Sequence, residues 1–148
     1  MKDCSDPERP CHGRCRKVTV FTAGCFNRLH KAHFTMLVHA RGLGNRLVLG
    51  ISHDAHNKKP NAVPMELRWE RLSALGIADE VVIGDKDKFS GTLERVDPQI
   101  LVLGFDQKLP DEATEQLVID KGIQVIRFPW FPGKEQDLVY SKPETPAA

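Results

Sequence analysis

Apolar residues fall along this chain in short, β-branched runs separated by polar stretches with helical spacing, and the alternation holds from Lys17 to Phe128. Lys-Val-Thr-Val-Phe-Thr-Ala over 17–23, closed by Gly24, reads as a buried strand. From His33 to Leu43, Phe34, Leu37 and Val38, with Met36 and Ala40 beside them, fit a helix that stops at Gly42 or Gly44. A second strand follows over 46–52, and the polar stretch 54–61, with Lys58, Lys59 and Pro60, is a loop. Pro64 suits the first turn of a second helix, whose inner face is Met65, Trp69, Leu72 and Leu75 and which ends at Gly76. A strand at 80–84, a short helix or turn at 90–96 and a strand at 99–105 come next. An acidic helix at 111–121, closed by Gly122, and a last strand at 123–128 complete the series. Nearly continuous apolar strands that alternate with helices belong to a parallel sheet covered on both faces, because parallel neighbours need crossover connections. The expected fold is therefore α/β, a doubly wound, Rossmann-like parallel sheet of five strands. In such sheets ligands bind beyond the carboxyl ends of the strands where the strand order reverses, which directs attention to the residues after the first and fourth strands.

With 148 residues the chain supports one domain, expected over 17–142 between a tail at 1–16 and a short flexible end at 143–148. Lys and Arg number 21 against 20 Asp and Glu, so the charge balance argues against a dedicated nucleic-acid binder or a polybasic membrane anchor. No apolar run approaches the ~20 residues that cross a bilayer, and the start of the chain lacks a secretory signal, so a cytoplasmic protein with reduced thiols is expected. Cys4, Cys11 and Cys15 lie among prolines, Gly13 and charges, in a stretch that reads as a mobile tail. The Cys-x3-Cys spacing is not that of a zinc knuckle and no second ligand pair follows, so no metal site is expected.

Chemistry concentrates in Gly24-Cys25-Phe26-Asn27-Arg28-Leu29-His30-Lys31-Ala32-His33, between the first strand and the first helix. Gly24 lets backbone approach a ligand, and amides at the helix start form an anion site. His30 and His33, three residues apart, point the same way on a helical first turn, over that anion site. Two imidazole donors aimed at one phosphate suit the stabilisation of charge on a phosphoryl group. On spacing alone a helix surface or part of a metal site is the preferred reading of the pair. The segment resembles the G-[TSC]-F-[DN]-x-x-H-x-G-H signature of the cytidylyltransferase-like nucleotidyltransferase superfamily, with the Gly, the Phe and both histidines in register. The resemblance implies that His30 and His33 contact the triphosphate and steady the transition state as a phosphate-bearing acceptor attacks the α-phosphorus. It also implies nucleotide contacts for Gly24, Cys25, Phe26 and Asn27. Ala32 stands where Gly is usual, Asn27 where Asp is frequent, and Cys25 where Thr or Ser is common; none of these removes a donor the chemistry needs.

The resemblance extends from about Val18 to Arg127. It assigns Lys59, on the basic loop with Lys58, to α-phosphate charge and Arg68 to phosphate oxygens; without it both lysines read as solvated loop charges. Leu103-Gly104-Phe105-Asp106-Gln107 closes the fourth strand and is most similar to the archaeal-type FAD synthases, implying nucleotide contacts for Gly104, Asp106 and Gln107. The last family motif finds its nearest match in Tyr140-Ser141-Lys142, which assigns Ser141 to the terminal phosphates. Trp130 and Phe131, between Pro129 and Pro132, suit a flat-ringed acceptor, a hydrophobic lid or a contact in a homodimer. The implied enzyme moves a nucleoside monophosphate from ATP (or CTP), with Mg²⁺, onto FMN. Glycerol 3-phosphate cytidylyl transfer, heptose-phosphate adenylyl transfer and a non-catalytic nucleotide binder of the same fold remain as alternatives.

Overall fold

A computed structural model describes residues 17–58, 60, 62–105 and 107–133. The expected tails at 1–16 and 143–148 and the domain limit at 142 lie outside the described residues. In chain order the elements are β1 (Thr19–Gly24), α1 (Lys31–Arg41), β2 (Arg46–Ile51), a 3-10 turn (Asp54–His56), α2 (Met65–Ala74) and β3 (Glu80–Ile83). α3 (Phe89–Val96), β4 (Ile100–Leu103), α4 (Glu112–Lys121) and β5 (Gln124–Arg127) follow. All four strand pairings are parallel, as the alternation of apolar runs and helices requires, and the order is β3-β2-β1-β4-β5.

Side chains alternate across the pleat, so each inner strand feeds two cores. Val20, Leu47, Leu49 and Val102 pack with Leu37 and Ala40 of α1 and Leu72 of α2. Phe21, Val48, Leu101 and Leu103 pack on the other face with Leu93 of α3 and Val118 of α4. Helix ends are fixed by short-range bonds: Asp111 accepts from the Thr114 amide at 2.9 Å to cap α4, and Gly122 takes the left-handed conformation at its end (φ 66°). Asp79 joins α1 to the start of β2, because Arg41 and the Leu47 amide both donate to its carboxylate, which holds that carboxyl below its usual pKa.

The structure defines the buried face of α1 and corrects that of α2. Phe34 and Val38 of α1 are 41% and 46% exposed, while Leu37 and Ala40 are buried. At 100° per residue Phe34 and Val38 share a stripe beside the one that meets the sheet. In α2, Trp69 is 43% exposed and its indole N–H donates to the Val81 carbonyl at 2.8 Å, along the sheet edge. The inward stripe is Arg68 and Leu72, both fully buried. Among the described residues no helix is long and apolar enough to cross a membrane.

Candidate active site

β1 ends at the crevice where β2 and β3 lie to one side and β4 and β5 to the other. The chain leaves β1 through Gly24 and Cys25, turns at Phe26, whose φ of 50° is rare for a residue with a side chain, and enters α1 at His30. The turn buries Phe26 and sets its ring 5.1 Å from that of His33. His30 caps α1: its backbone is extended and its Nδ1 accepts from the His33 amide at 3.3 Å. A neutral His30 with Nδ1 accepting carries its proton on Nε2, a donor. The two imidazoles stack face to face, centroids 3.8 Å apart and planes 12° from parallel. Sequence spacing places them on one side; the cap and Phe26 make them a stacked pair.

Both histidines open on a cavity of about 520 Å³, within the range of small-molecule sites. The cavity brings together Gly24, Cys25, Phe26, Asn27, His30, His33, Gly104 and Gln107 of the expected residues. Ala23, Arg28, Ala32, Met36, Phe105, Pro129, Trp130 and Phe131 complete its wall, so the stretch from Pro129 to Phe131 borders the histidine site. Phe131 stacks on His39 of α1, with centroids 5.2 Å apart, and anchors that stretch. Gly133 follows at a φ of 107°, where a Cβ would fall 2.7 Å from that of Lys31. Lys59, Asp106 and Ser141 lie outside the described residues; Lys58 is exposed.

Three of the expected site residues are engaged within the protein. Arg68 is fully buried and is not among the residues that line this cavity. Its Nε donates to the Val63 carbonyl at 2.6 Å, Nη1 to the Cys25 carbonyl at 2.9 Å and Ser52 Oγ at 3.2 Å, and Nη2 to Asp54 at 2.9 Å. It ties the turn after β1 to the segments flanking the basic loop. Asn27 exchanges amide bonds with Asn57 at 2.9 and 2.7 Å and accepts from the Val63 amide at 2.9 Å. Asn57, 6% exposed, gives no local sequence signal, since its partner lies 30 residues away. Gln107 accepts from the Gly104 amide and donates to the Ala23 carbonyl, both at 2.8 Å, and so closes the crevice between β1 and β4. Arg127, another residue without a sequence signal, donates to the carbonyls of Gly104 and Gln107 and fixes that loop.

A second cavity of about 330 Å³ adjoins the first; Ala23, Gly24, Cys25 and Gln107 border both. Its deeper wall is the face of the sheet that packs under α3 and α4.

Residues 21–144 match the model of the cytidylyltransferase-like family. The chain belongs to that family. With FAD synthases among its relatives, the chain is a nucleotidyltransferase. It is 36% identical over 115 residues to an FAD synthase of Methanosarcina acetivorans, covering 74% of this chain and 76% of that protein. It is 35% identical over 133 residues to the bifunctional protein HldE of Campylobacter concisus, covering 86% of this chain but only 28% of that much longer protein. Among solved structures, the lipopolysaccharide core biosynthesis protein of Thermoplasma volcanium superposes with a TM-score of 0.69 at 28% identity, over 79% of this chain and all of that one.

Proposed function

We propose that this nucleotidyltransferase moves AMP from ATP to the phosphate of FMN and releases pyrophosphate. The stacked pair of His30 and His33 at the start of α1, in one cavity with Gly24 and Gly104, carries the reading. An oxygen of the acceptor phosphate attacks the α-phosphorus, the bond to the bridging oxygen breaks and pyrophosphate takes that electron pair. Such a transfer needs position and charge stabilisation and no covalent nucleophile. His30 Nε2–H and the first amides of α1 face the leaving phosphates, and Phe26 holds His33 beside them. Phe105 and Trp130, 53% and 59% exposed at the cavity wall, offer flat surfaces to the base. Lys59 is proposed for α-phosphate charge, Asp106 for ribose or base, and Ser141 for the terminal phosphates. Arg68 acts as a positioning residue that shapes the turn after β1. Mg²⁺ is proposed as an ion held by the triphosphate, where it would supply charge neutralisation. A cytoplasmic location goes with this reading.

The FAD synthase of Methanosarcina acetivorans, matched over three quarters of both chains, favours FMN. The match to HldE and to the lipopolysaccharide core biosynthesis protein favours a sugar phosphate as the second reading. One incubation separates them: the protein with Mg²⁺, ATP or CTP, and FMN, glycerol 3-phosphate or a sugar phosphate, followed by pyrophosphate release and product mass. FAD is the expected product. His30→Ala should lose about 10²–10³-fold in kcat with the circular dichroism unchanged; an unaltered rate removes the imidazole from the mechanism.

A further inference from the structure

Beyond β5 the chain is held in a different way. Phe128 gives its amide to the Leu103 carbonyl at 2.9 Å, which extends the ladder of β4 and β5 by one bond. Pro129, Trp130, Phe131, Pro132 and Gly133 follow, and the two prolines have no N–H to donate. Among the described residues no backbone hydrogen bond joins 129–133 to another part of the chain, yet Pro129, Trp130 and Phe131 form one wall of the histidine cavity. Three rings fasten that wall. His39 stacks on Phe131 with planes 4° apart, and Phe128 meets both rings edge to face, each at 6.1 Å. Phe128 rests in turn on the core beneath α1 and α2. His39 is exposed, lies about two turns along α1 from Lys31 and does not line the cavity.

We propose that His39 is a positioning residue for the nucleotide: its ring ties Phe131 to α1 and so holds Trp130 at the cavity wall, where the base stacks. The proposal rests on the nucleotidyl-transfer reading of the histidine cavity and adds to it a residue outside that cavity. Trp130 is 59% exposed, so burial does little to fix it and its place follows that of Phe131 beside it in the chain. A wall set before the ligand arrives spares the nucleotide the cost of ordering it. Two of the three ring contacts involve His39, so its removal leaves only Phe128 against Phe131 and unties the wall from α1. The plainer role for a histidine in the last turn of a helix is a charge set against the helix dipole, which would act on stability and not on nucleotide affinity. Phe at position 39 keeps a ring and has no charge, so it separates the two roles.

The test uses the full chain carrying Trp69→Phe, which leaves Trp130 as its single tryptophan. It is titrated with Mg²⁺ and an ATP analogue that has a methylene between its α- and β-phosphorus, beside steady-state kinetics with ATP and the acceptor that yields pyrophosphate in the incubation above. The analogue should quench Trp130 fluorescence. His39→Ala should weaken that binding and raise the KM for ATP about tenfold, with kcat at saturating ATP within about twofold of the parent. Position 39 is exposed and Ala is a good helix former, so this variant should fold. His39→Phe should bring affinity and KM back to within about twofold of the parent. Parent-like affinity in His39→Ala, a loss that His39→Phe does not recover, or a fall in kcat at unchanged KM would overturn the proposal and leave the transfer reading standing. Product formation with Trp130 fluorescence unmoved by the analogue does the same. Neither quenching nor product from the chain with His39 intact overturns both.

Discussion

Asn27 and Asn57 face each other as two amides, each donating to and accepting from the other, and Asn27 Oδ1 also receives the Val63 amide. An amide is required at both ends: an Asp at 27, frequent in related motifs, would accept from Asn57 and Val63 but leave Asn57 Oδ1 without a donor. The departure from Asp is thus explained by a residue 30 positions away. Either single change, Asn27→Asp or Asn57→Asp, removes one donated bond and should cost about 1 kcal/mol in urea unfolding at pH 7. The double variant places two carboxylates in contact and should lose more than the sum of the singles. Like charges raise the pKa of such a pair, so the excess is present at neutral pH and fades as protonation proceeds on acidification. Additive losses with no recovery near pH 4 would show that the amides do not touch. The histidine pair was legible in the sequence because its members are neighbours in one motif; the Asn57, Gln107 and Arg127 contacts were not, because they join loops that only the folded sheet brings together.

For the elements, apolar content marked the strands well and the helix faces poorly. β1, β2 and β4 are covered on both sides, so every position along them favours an apolar residue and the runs stand out. On α1 and α2 the exposed Phe34, Val38 and Trp69 have the same apolar character as buried residues, while the buried Arg68 looks like a surface residue until its four bonds are seen. Asp79 shows how the elements are fastened: Arg41 from the last turn of α1 donates to it, as does the first buried amide of β2. Its folded pKa is lowered from 3.8, chiefly by the Arg41 hydrogen bond, so its contribution is fully present above that value and disappears as pH falls through the lowered folded value. The pair is partly exposed, so the contribution is small. Asp79→Asn should lower stability by about 1 kcal/mol or less at pH 7, and the gap to the parent protein should narrow progressively as the pH is taken down through the acid range, as read from denaturant midpoints. A gap that does not narrow on acidification would mean that the side chain acts through packing and not through its charge.

Over the whole molecule, the order β3-β2-β1-β4-β5 puts the divergence of the chain between β1 and β4, and both cavities border the ends of those strands. Gln107, clamped to both sides, is the partition between them. If the nucleotide fills the histidine cavity and the acceptor its neighbour, the two ligands bind together, and each stabilises the folded chain by an amount that grows with the logarithm of its concentration over its Kd. An ATP analogue with a methylene between the α- and β-phosphorus, held at 100 times its Kd with Mg²⁺, should add about 2.7 kcal/mol, which for a chain of this length raises Tm by roughly 5–10 °C. FMN at the same multiple of its Kd should give a similar rise, and the two together should give nearly the sum, because their cavities share a wall but not a volume. Loss of the FMN increment once the analogue is present would show that both rings compete for the surface around Phe105 and Trp130. In that case the wall of Phe89, Leu101, Leu103 and Leu109 would belong to the core alone, and Gln107 would fasten β1 to β4 without separating two substrates.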